Sequence, residues 1–173
     1  MKVLVFGPSG SGKTYVAKAL QRAGINAFDD ADIEGLSNWY DQFGQKVPQP
    51  ATADEAAEKK YAFLWSKKTL ARFVNRFDDV YVFGGSGNVW SVFDLFDKVY
   101  YLQVEPELQK RRLMSPDRPT PLMDINNTDG LVIWGAWFEQ MAIEKGIPFV
   151  NADQTPAEVF QIISNKKQSG PAM

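Results

Sequence analysis

The residues with the clearest chemical signature lie near the start of the chain, in the run Gly7-Pro8-Ser9-Gly10-Ser11-Gly12-Lys13-Thr14. This run matches G-x-x-x-x-G-K-[ST] at every fixed position, a pattern typical of phosphate-binding loops. Glycines at these spacings let the backbone approach a polyphosphate and turn several N–H groups towards it. The lysine neutralises phosphate charge, and the hydroxyl after it joins the shell of a magnesium ion. The residues predicted to bind the polyphosphate are Gly7, Ser9, Gly10, Ser11, Gly12, Lys13 and Thr14.

Three carboxylates follow the next apolar run, at Asp29, Asp30 and Asp32. Carboxylates this close repel one another, so the group favours a bound cation or a proton. A metal–phosphate complex at the glycine-rich loop would supply that cation. The alternative is a solvated acidic turn that caps a short helix, and the residues alone leave both interpretations open.

Arginines are concentrated at the start of a proline-containing segment, where Arg111, Arg112 and Arg118 occur. Arginine is the side chain best suited to spreading phosphate charge. We therefore expect Arg111 to bind the nucleotide, and Arg112 and Arg118 to close over the transferring phosphoryl group. Arg111 and Arg112 are neighbours on a predicted helix and therefore point about 100° apart. The alternative interpretation is that one of the two is solvated or forms an ion pair with Glu107.

Two further groups are predicted to contact a second substrate. Gly84 and Gly85 end an apolar strand, and their bare backbone offers N–H groups to an acceptor, although a tight turn explains them equally well. Trp39 and Tyr40 are placed to stack on a ring, although aromatic residues in such a stretch also pack against a core.

Short apolar runs alternate with helical patterns, and this alternation positions the residues described above. Strands are predicted at 3–6, 25–28, 80–83, 99–104 and 147–150. Helices are predicted after the glycine-rich loop, over 52–77, from Pro106 and from Thr155. The alternation indicates a three-layer α/β fold with a five-stranded, mainly parallel sheet and helices on both faces. With the phosphate-binding loop motif and a lid segment added, this layout resembles the P-loop NTPase fold. Ligands of such sheets bind outside the carboxyl ends of the strands, where the candidate residues fall.

Two segments interrupt the alternation of strands and helices. The first begins at about residue 35 and, with the helix that follows it, gives a predicted acceptor-binding segment over 35–77. The second, 115–130, is a predicted lid, because long insertions in compact domains are often binding segments or lids. A disordered surface loop is the alternative for each. A single domain over 1–173 with a frayed tail at 164–173 completes the expected organisation. A helix that carries Trp134, Trp137 and Phe138 is assigned to the core.

Composition excludes several kinds of site. The chain contains neither cysteine nor histidine, which excludes disulfides, thiolate metal sites and any Ser-His-Asp machinery built from this chain alone. General acid–base work therefore falls to carboxylates, lysine or tyrosine. The net charge of −2 provides no overall basic field for nucleic acid or an anionic membrane. The sequence has no signal-peptide pattern and no stretch as long as a membrane span, so we expect a cytoplasmic protein.

Taken together, these residues resemble the small P-loop kinases, a group that includes shikimate kinases, gluconate kinases and nucleoside monophosphate kinases. Asp30-Ala31-Asp32 looks like the D-x-D of shikimate kinases. The resemblance implies that Asp30 supports Mg²⁺ through water, and that Asp32 binds and deprotonates the acceptor hydroxyl. Gly84-Gly85 resembles the glycine pair that contacts substrate, and Arg118-Pro119 resembles the arginine region of the lid.

The chain also departs from the shikimate kinases. It has no arginine between Arg22 and Arg72 and none after Arg118, the regions in which that family places substrate-binding arginines. Shikimate itself is therefore disfavoured, and the aromatic pair Trp39-Tyr40 favours a less anionic or ring-bearing acceptor.

The expected activity is transfer of the γ-phosphoryl group of Mg-ATP to a hydroxyl or phosphate of a small molecule. The acceptor is a nucleoside, nucleotide, sugar or hydroxy acid, and the implied cofactors are ATP and Mg²⁺. One alternative is a nucleotide-binding module or slow NTPase without a small-molecule acceptor. Another is a kinase that acts on nucleic-acid ends, which the net negative charge disfavours.

Overall fold

The computed structural model describes residues 1–117 and 128–165. The strands are β1 (Lys2–Phe6), β2 (Ala27–Asp29), β3 (Ser37–Tyr40), β4 (Lys46–Val47), β5 (Ala62–Trp65), β6 (Val80–Gly84), β7 (Lys98–Gln103) and β8 (Phe149–Asn151). The helices are α1 (Lys13–Arg22), α2 (Ala53–Glu58), α3 (Lys67–Val74), α4 (Pro106–Leu113), α5 (Thr128–Glu144) and α6 (Pro156–Ile163). Short 3₁₀ helices cover Asp30–Asp32 and Val89–Leu95.

The main sheet has five strands in the order β2-β6-β1-β7-β8, and every pairing in it is parallel. Apolar side chains cover both of its faces, as expected for a parallel sheet between two helical layers. Those of α1 and α6 pack on one face, and those of α3 and α5 pack on the other. The predicted three-layer α/β fold is therefore confirmed.

Several predicted elements are confirmed with small changes at their ends. The strands β1, β6 and β7 and the helix from Pro106 lie where the sequence predicts them, and β2 and β8 each begin two residues later. At the start of α6, Thr155 and Glu158 form a reciprocal capping box, in which each side chain binds the other residue's backbone N–H.

The predicted helix over 52–77 is wrong. The region forms α2, then β5, then α3. Lys60 has a positive φ of 55°, which turns the chain out of the helical conformation after α2. The apolar and aromatic residues after it then pair with β3, because burying them on a neighbouring strand outweighs the local helical pattern.

The segment predicted to be irregular after residue 35 also contains regular structure. Strands β4, β3 and β5 form a second, antiparallel sheet in that order. In its register Ser37 pairs with Trp65, and Trp39 pairs with Phe63. Because side chains alternate along a strand, these residues all share one face of the sheet. Asn88, after β6, accepts a hydrogen bond from the Trp65 N–H (2.9 Å) and donates one to the Trp65 carbonyl (3.0 Å), which joins this sheet to the main one.

The aromatic residues of α5 are only partly in the core. Phe138 is buried, as predicted, but Trp134 is 53% exposed and Trp137 is 46% exposed. The prediction that all three are core residues is wrong, because the helix is apolar on more faces than the one that meets the sheet. Within the described ranges, no helix combines the length and apolar character needed to cross a membrane.

Two predicted features cannot be compared with the structure in full. Most of the predicted lid, including Arg118, lies outside the described residues, and the part from residue 128 onwards begins α5. The predicted frayed tail lies outside them from residue 166.

Candidate active site

The glycine-rich loop joins β1 to α1 at the carboxyl edge of the main sheet. Gly10 and Gly12 have φ of 83° and 93°, a left-handed conformation that favours glycine over residues with a Cβ. A Cβ on Gly7 would lie 2.8 Å from the carbonyl oxygen of Leu102 on the neighbouring strand. Glycine is therefore needed at these positions for backbone reasons, and the loop ends at the N-terminus of α1, whose free N–H groups attract anions.

Lys13 lies across this loop. Its ammonium group donates hydrogen bonds to the Pro8 carbonyl (2.7 Å) and, more weakly, to Ser11 Oγ (3.4 Å). The side chain is half-buried and lines the same cavity as the loop. The positive charge is therefore held where the backbone N–H groups of the loop converge, as the binding of a polyphosphate requires.

Thr14 and Asp29 form the closest polar contact between the loop and β2. The Thr14 hydroxyl donates to Asp29 Oδ2 at 2.6 Å, and Asp29 Oδ1 accepts from the Ala31 N–H at 3.0 Å. Asp29 is only 5% exposed. A hydroxyl and a carboxylate oxygen beside a phosphate loop are the hard donors that Mg²⁺ prefers. In the described part of the chain no group of three or more acidic residues is placed to hold a metal ion.

Asp30 lies in a different environment from Asp29. Its Oδ2 accepts hydrogen bonds from the Gly85 N–H and from the Trp65 indole N–H, both at 3.2 Å. Burial and the neighbouring Asp29 charge raise the pKa of Asp30 to about 7, although the Gly85 N–H and the Lys13 charge act in the opposite direction. A carboxylate that lines the cavity with a pKa near neutrality is suited to accept a proton from a substrate.

The glycine pair after β6 shapes this environment. A Cβ on Gly84 would lie 2.6 Å from Asp30 Cγ and from Trp65 Cζ2, so glycine lets those two side chains meet. Gly84 itself lies outside the cavity lining, whereas Gly85 is part of it. The Gly85 N–H, predicted to contact an acceptor, instead donates to Asp30. The glycine pair therefore positions the carboxylate.

A cavity of about 1180 Å³ runs from the loop to the second sheet. At one end it is lined by the loop, Asp29, Asp30 and Arg112. At the other end the lining residues come from the segment predicted to bind the acceptor, and include Ser37, Trp39, Gln49, Ala53, Ala56, Ala57, Tyr61, Ala62 and Phe63. The loop and this segment therefore face one continuous space.

Arg112 is bound to backbone at the edge of the loop. Its Nη1 donates to the Ser11 carbonyl and its Nη2 to the Ala152 carbonyl, each at 3.0 Å. These contacts connect α4 to the loop and to the segment after β8. Arg112 lines the cavity, but in this structure its guanidinium holds the loop in place, which differs from the predicted contact with a transferring group.

Three predicted side chains do not reach the cavity. Asp32 is exposed, because the 3₁₀ turn over Asp30–Asp32 directs it away from the strand ends. Arg111 is exposed beside Arg112, in agreement with the divergence of neighbouring helical side chains. Tyr40 follows Trp39 on β3, so it lies on the opposite face of the sheet, whereas Trp39 lines the cavity.

Other lining residues were missed by sequence reasoning. Ser37, Tyr61 and Phe63 come from the second sheet and its approach, and Trp134 comes from α5. The alternation Ser37-x-Trp39 and Phe63-x-Trp65 was the available signal, since a period of two residues marks a shared strand face.

A family model described as an AAA domain matches residues 3–132, about three quarters of the chain. The chain belongs to this family. The matched part of the AAA-domain chain contains the loop, the aspartates, the glycine pair and both arginines of α4. A comparison with curated proteins finds no match.

Solved structures similar to this AAA-domain chain include a shikimate kinase from Acinetobacter baumannii in complex with shikimate. It is 21% identical with a TM-score of 0.57, over 96% of this chain and 95% of that one. A deoxyadenosine kinase from M. mycoides with bound dATP is 15% identical with a TM-score of 0.56, over 98% and 100%. A shikimate kinase from Bacteroides thetaiotaomicron is 15% identical with a TM-score of 0.55, over 95% and 99%. The fold is that of the small P-loop kinases.

Proposed function

We propose that this protein is an ATP-dependent phosphotransferase that moves the γ-phosphoryl group of Mg-ATP to a hydroxyl group of a small molecule. One observation carries the proposal: an anchored carboxylate, Asp30, faces the same cavity as a complete phosphate-binding loop. The likeness in fold to the shikimate and deoxyadenosine kinases supports it.

The loop end of the cavity is the proposed nucleotide site. On ATP binding, the Lys13 ammonium exchanges the Pro8 carbonyl for phosphate oxygens, and the loop N–H groups bind the β-phosphate. Thr14 and Asp29 would hold Mg²⁺, directly or through water. When bound, the ion neutralises charge on the β- and γ-phosphates.

The transfer step requires a proton to leave the acceptor hydroxyl. We assign its uptake to Oδ1 of Asp30, because Oδ2 is the atom held by Gly85 and Trp65. As the acceptor oxygen bonds to the γ-phosphorus, the bond from that phosphorus to the β–γ bridging oxygen breaks. The products are ADP, the phosphorylated acceptor and a proton on Asp30, which solvent then removes.

This assignment changes the roles predicted from the D-x-D resemblance. Asp29 replaces Asp30 as the residue beside the metal, because it is the one that contacts Thr14. Asp30 replaces Asp32 as the proton acceptor, because Asp32 is exposed outside the cavity. The predicted phosphate contacts of Arg111 and Arg118 stay predictions.

A slow NTPase without an acceptor is the second candidate, in which Asp30 would face water. ADP release, measured with and without a panel of nucleosides, nucleotides, sugars and hydroxy acids, separates the two. A rise of at least tenfold with one acceptor, accompanied by a phosphorylated product in mass spectra, supports the phosphotransferase. A uniform slow rate with every compound favours the NTPase.

A further inference from the structure

We propose that the acceptor is an uncharged compound with a planar ring, of the nucleoside class, which stacks against Trp39 and Phe63. The inference rests on the proposed phosphotransfer and names the substrate class for the acceptor end of the cavity. Charge, strand register and one buried hydroxyl group each support it.

The charged residues of the lining are unevenly distributed. Among the described residues they are Lys13, Asp29, Asp30, Arg112 and Asp117, which belong to the loop, the end of β2 and the region of α4. Between residues 37 and 63 the lining is aromatic, aliphatic or neutral polar. An acid or phosphate monoester bound there would lose its hydration without a cation from the described lining residues to compensate, which costs several kcal/mol. A neutral acceptor avoids that cost.

Trp39 and Phe63, called here the aromatic wall, lie on the same two strands as the residue that holds the proton acceptor, Asp30. The rings of Trp39 and Phe63 lie 5.5 Å apart between centroids, at an interplanar angle of 54°. The next pair on the same face, two residues further along each strand, is Ser37 with Trp65. The indole N–H of Trp65 donates a hydrogen bond to Asp30. The two pairs are therefore separated by roughly 7 Å along the strands. A base linked through a sugar to its reacting hydroxyl group spans that separation.

Ser37 provides a polar group in this otherwise apolar wall. Its hydroxyl oxygen is buried and has no hydrogen-bond partner in the described part of the protein. The residue lines the cavity beside Trp39. A buried hydroxyl without a partner costs about 1–3 kcal/mol. A rotation of the Ser37 side chain towards the cavity, with a bond to a sugar hydroxyl or base edge, would remove that cost.

The size of the cavity fits two organic ligands. At about 1180 Å³ it exceeds the usual range of roughly 300–1,000 Å³ for sites that hold one drug-sized molecule. A nucleotide on the loop therefore leaves room for a ring-bearing acceptor against the second sheet.

The test combines a binding measurement with a transfer measurement on the full chain. Adenosine, guanosine, cytidine and thymidine are compared with shikimate, gluconate and the nucleoside monophosphates. Binding is followed by calorimetry in the presence of Mg-ADP, and transfer by ADP release with Mg-ATP. We expect at least one nucleoside to bind and to be phosphorylated, with no measurable binding of the anionic compounds at the acceptor end.

Three variants locate the binding to the aromatic wall. Trp39→Ala should raise the KM for the nucleoside about tenfold or more, since stacking on one aromatic side chain is worth that much, while the KM for ATP stays unchanged. Trp39→Phe should recover most of the loss. Phe43→Ala removes an aromatic side chain that is 79% exposed in the same hairpin and outside the cavity lining, and should change neither constant.

The outcomes separate this inference from the proposed function. Nucleosides that bind through Trp39 but are not phosphorylated support the acceptor site and overturn phosphotransfer. Transfer to shikimate, gluconate or a monophosphate without transfer to any nucleoside overturns the inference and leaves phosphotransfer standing. Absence of nucleoside binding, or binding that Trp39→Ala leaves unchanged, also overturns the inference.

Discussion

At the scale of single residues, the carboxylates after β2 occupy three different environments. Asp29 is buried against Thr14, Asp30 accepts from Gly85 and Trp65, and Asp32 is exposed. The first is suited to support a metal ion, the second to exchange a proton, and the third to remain in solvent. Backbone direction at the strand end, rather than residue type, determines which role each one can take.

The matched pair Asp30→Asn and Asp32→Asn tests this division. Asparagine keeps an oxygen for Gly85 and Trp65 but cannot accept the proton, so Asp30→Asn should lower kcat by about 10²-fold or more, with little change in the KM for ATP. Asp32→Asn should change kcat less than threefold. Steady-state ADP release measures both variants, and a larger loss in Asp32→Asn would restore the role first predicted from the sequence.

Asp30 should also make the stability of the ligand-free protein depend on pH. Its folded pKa of about 7 lies above the ordinary value of 3.8, so the folded state keeps a proton that the unfolded chain has released between those values. The favourable contribution of Asp30 to the free energy of unfolding is fully present below about pH 4, and it is lost as pH rises through 7. Asp30→Asn should therefore gain stability relative to the natural protein over this range, by at most about 4 kcal/mol.

Urea unfolding in EDTA from pH 5 to pH 8 measures this difference. Asp32→Asn, at an exposed position, removes the same formal charge and controls for the general effect of net charge. The raised pKa would be contradicted if Asp30→Asn and the natural protein differed in free energy of unfolding by the same amount at pH 5 and at pH 8.

At the scale of secondary-structure elements, the second sheet contacts the main sheet through Asn88, Trp65 and Asp30. Asn88 fixes the backbone of Trp65, Trp65 holds Asp30, and Gly84 leaves the space in which they meet. The proton acceptor on one sheet is therefore positioned partly by a strand of the other. A change confined to this junction should alter catalysis without altering the loop.

Gly84→Ala tests the junction. The new Cβ would lie 2.6 Å from atoms of Asp30 and Trp65, so we expect a loss of roughly 1–3 kcal/mol in the free energy of unfolding and a fall in kcat of at least tenfold. The KM for ATP should be unchanged. Ile163→Val, in a fully buried position on α6, should cost a comparable 0.5–1.5 kcal/mol or so and leave kcat unchanged. Equal losses of kcat in the two variants would mean that general destabilisation, and not the junction, is responsible.

The elements that could be predicted from the sequence are those with local signals. The glycine-rich loop, the strands of the main sheet and the caps of the helices from Pro106 and Thr155 depend on residues within a few positions of one another. The second sheet could not be predicted in this way, because β5 pairs with β3 across more than twenty residues and its pattern also fits a helix. For the same reason the contacts between Trp65 and Asn88 could not be predicted, since they exist only after the two sheets meet.

At the scale of the whole molecule, the candidate site collects the carboxyl ends of adjacent strands. In the main sheet β2, β6 and β1 are neighbours, so Asp29, Gly85 and the loop from Gly7 come together at one edge of the sheet. The two core clusters hold this edge from both faces of the sheet. The nucleotide end of the site should therefore be formed before any ligand arrives, and nucleotide binding should not require an acceptor.

Thermal unfolding with nucleotide alone tests this expectation. Mg-ADP at about a hundred times its Kd should stabilise the fold by about 2.7 kcal/mol, which for a chain of this size raises the Tm by about 7 °C. Lys13→Ala should abolish most of the shift while keeping the Tm of the ligand-free protein within about 2 °C of the natural one, because the lysine side chain is half-buried and its hydrogen bonds to Pro8 and Ser11 stay within the loop. Lys18→Ala, which removes an exposed lysine on α1, should retain the full shift. If the shift appears only when an acceptor is also present, the nucleotide end is not preformed and the two ends of the cavity assemble together.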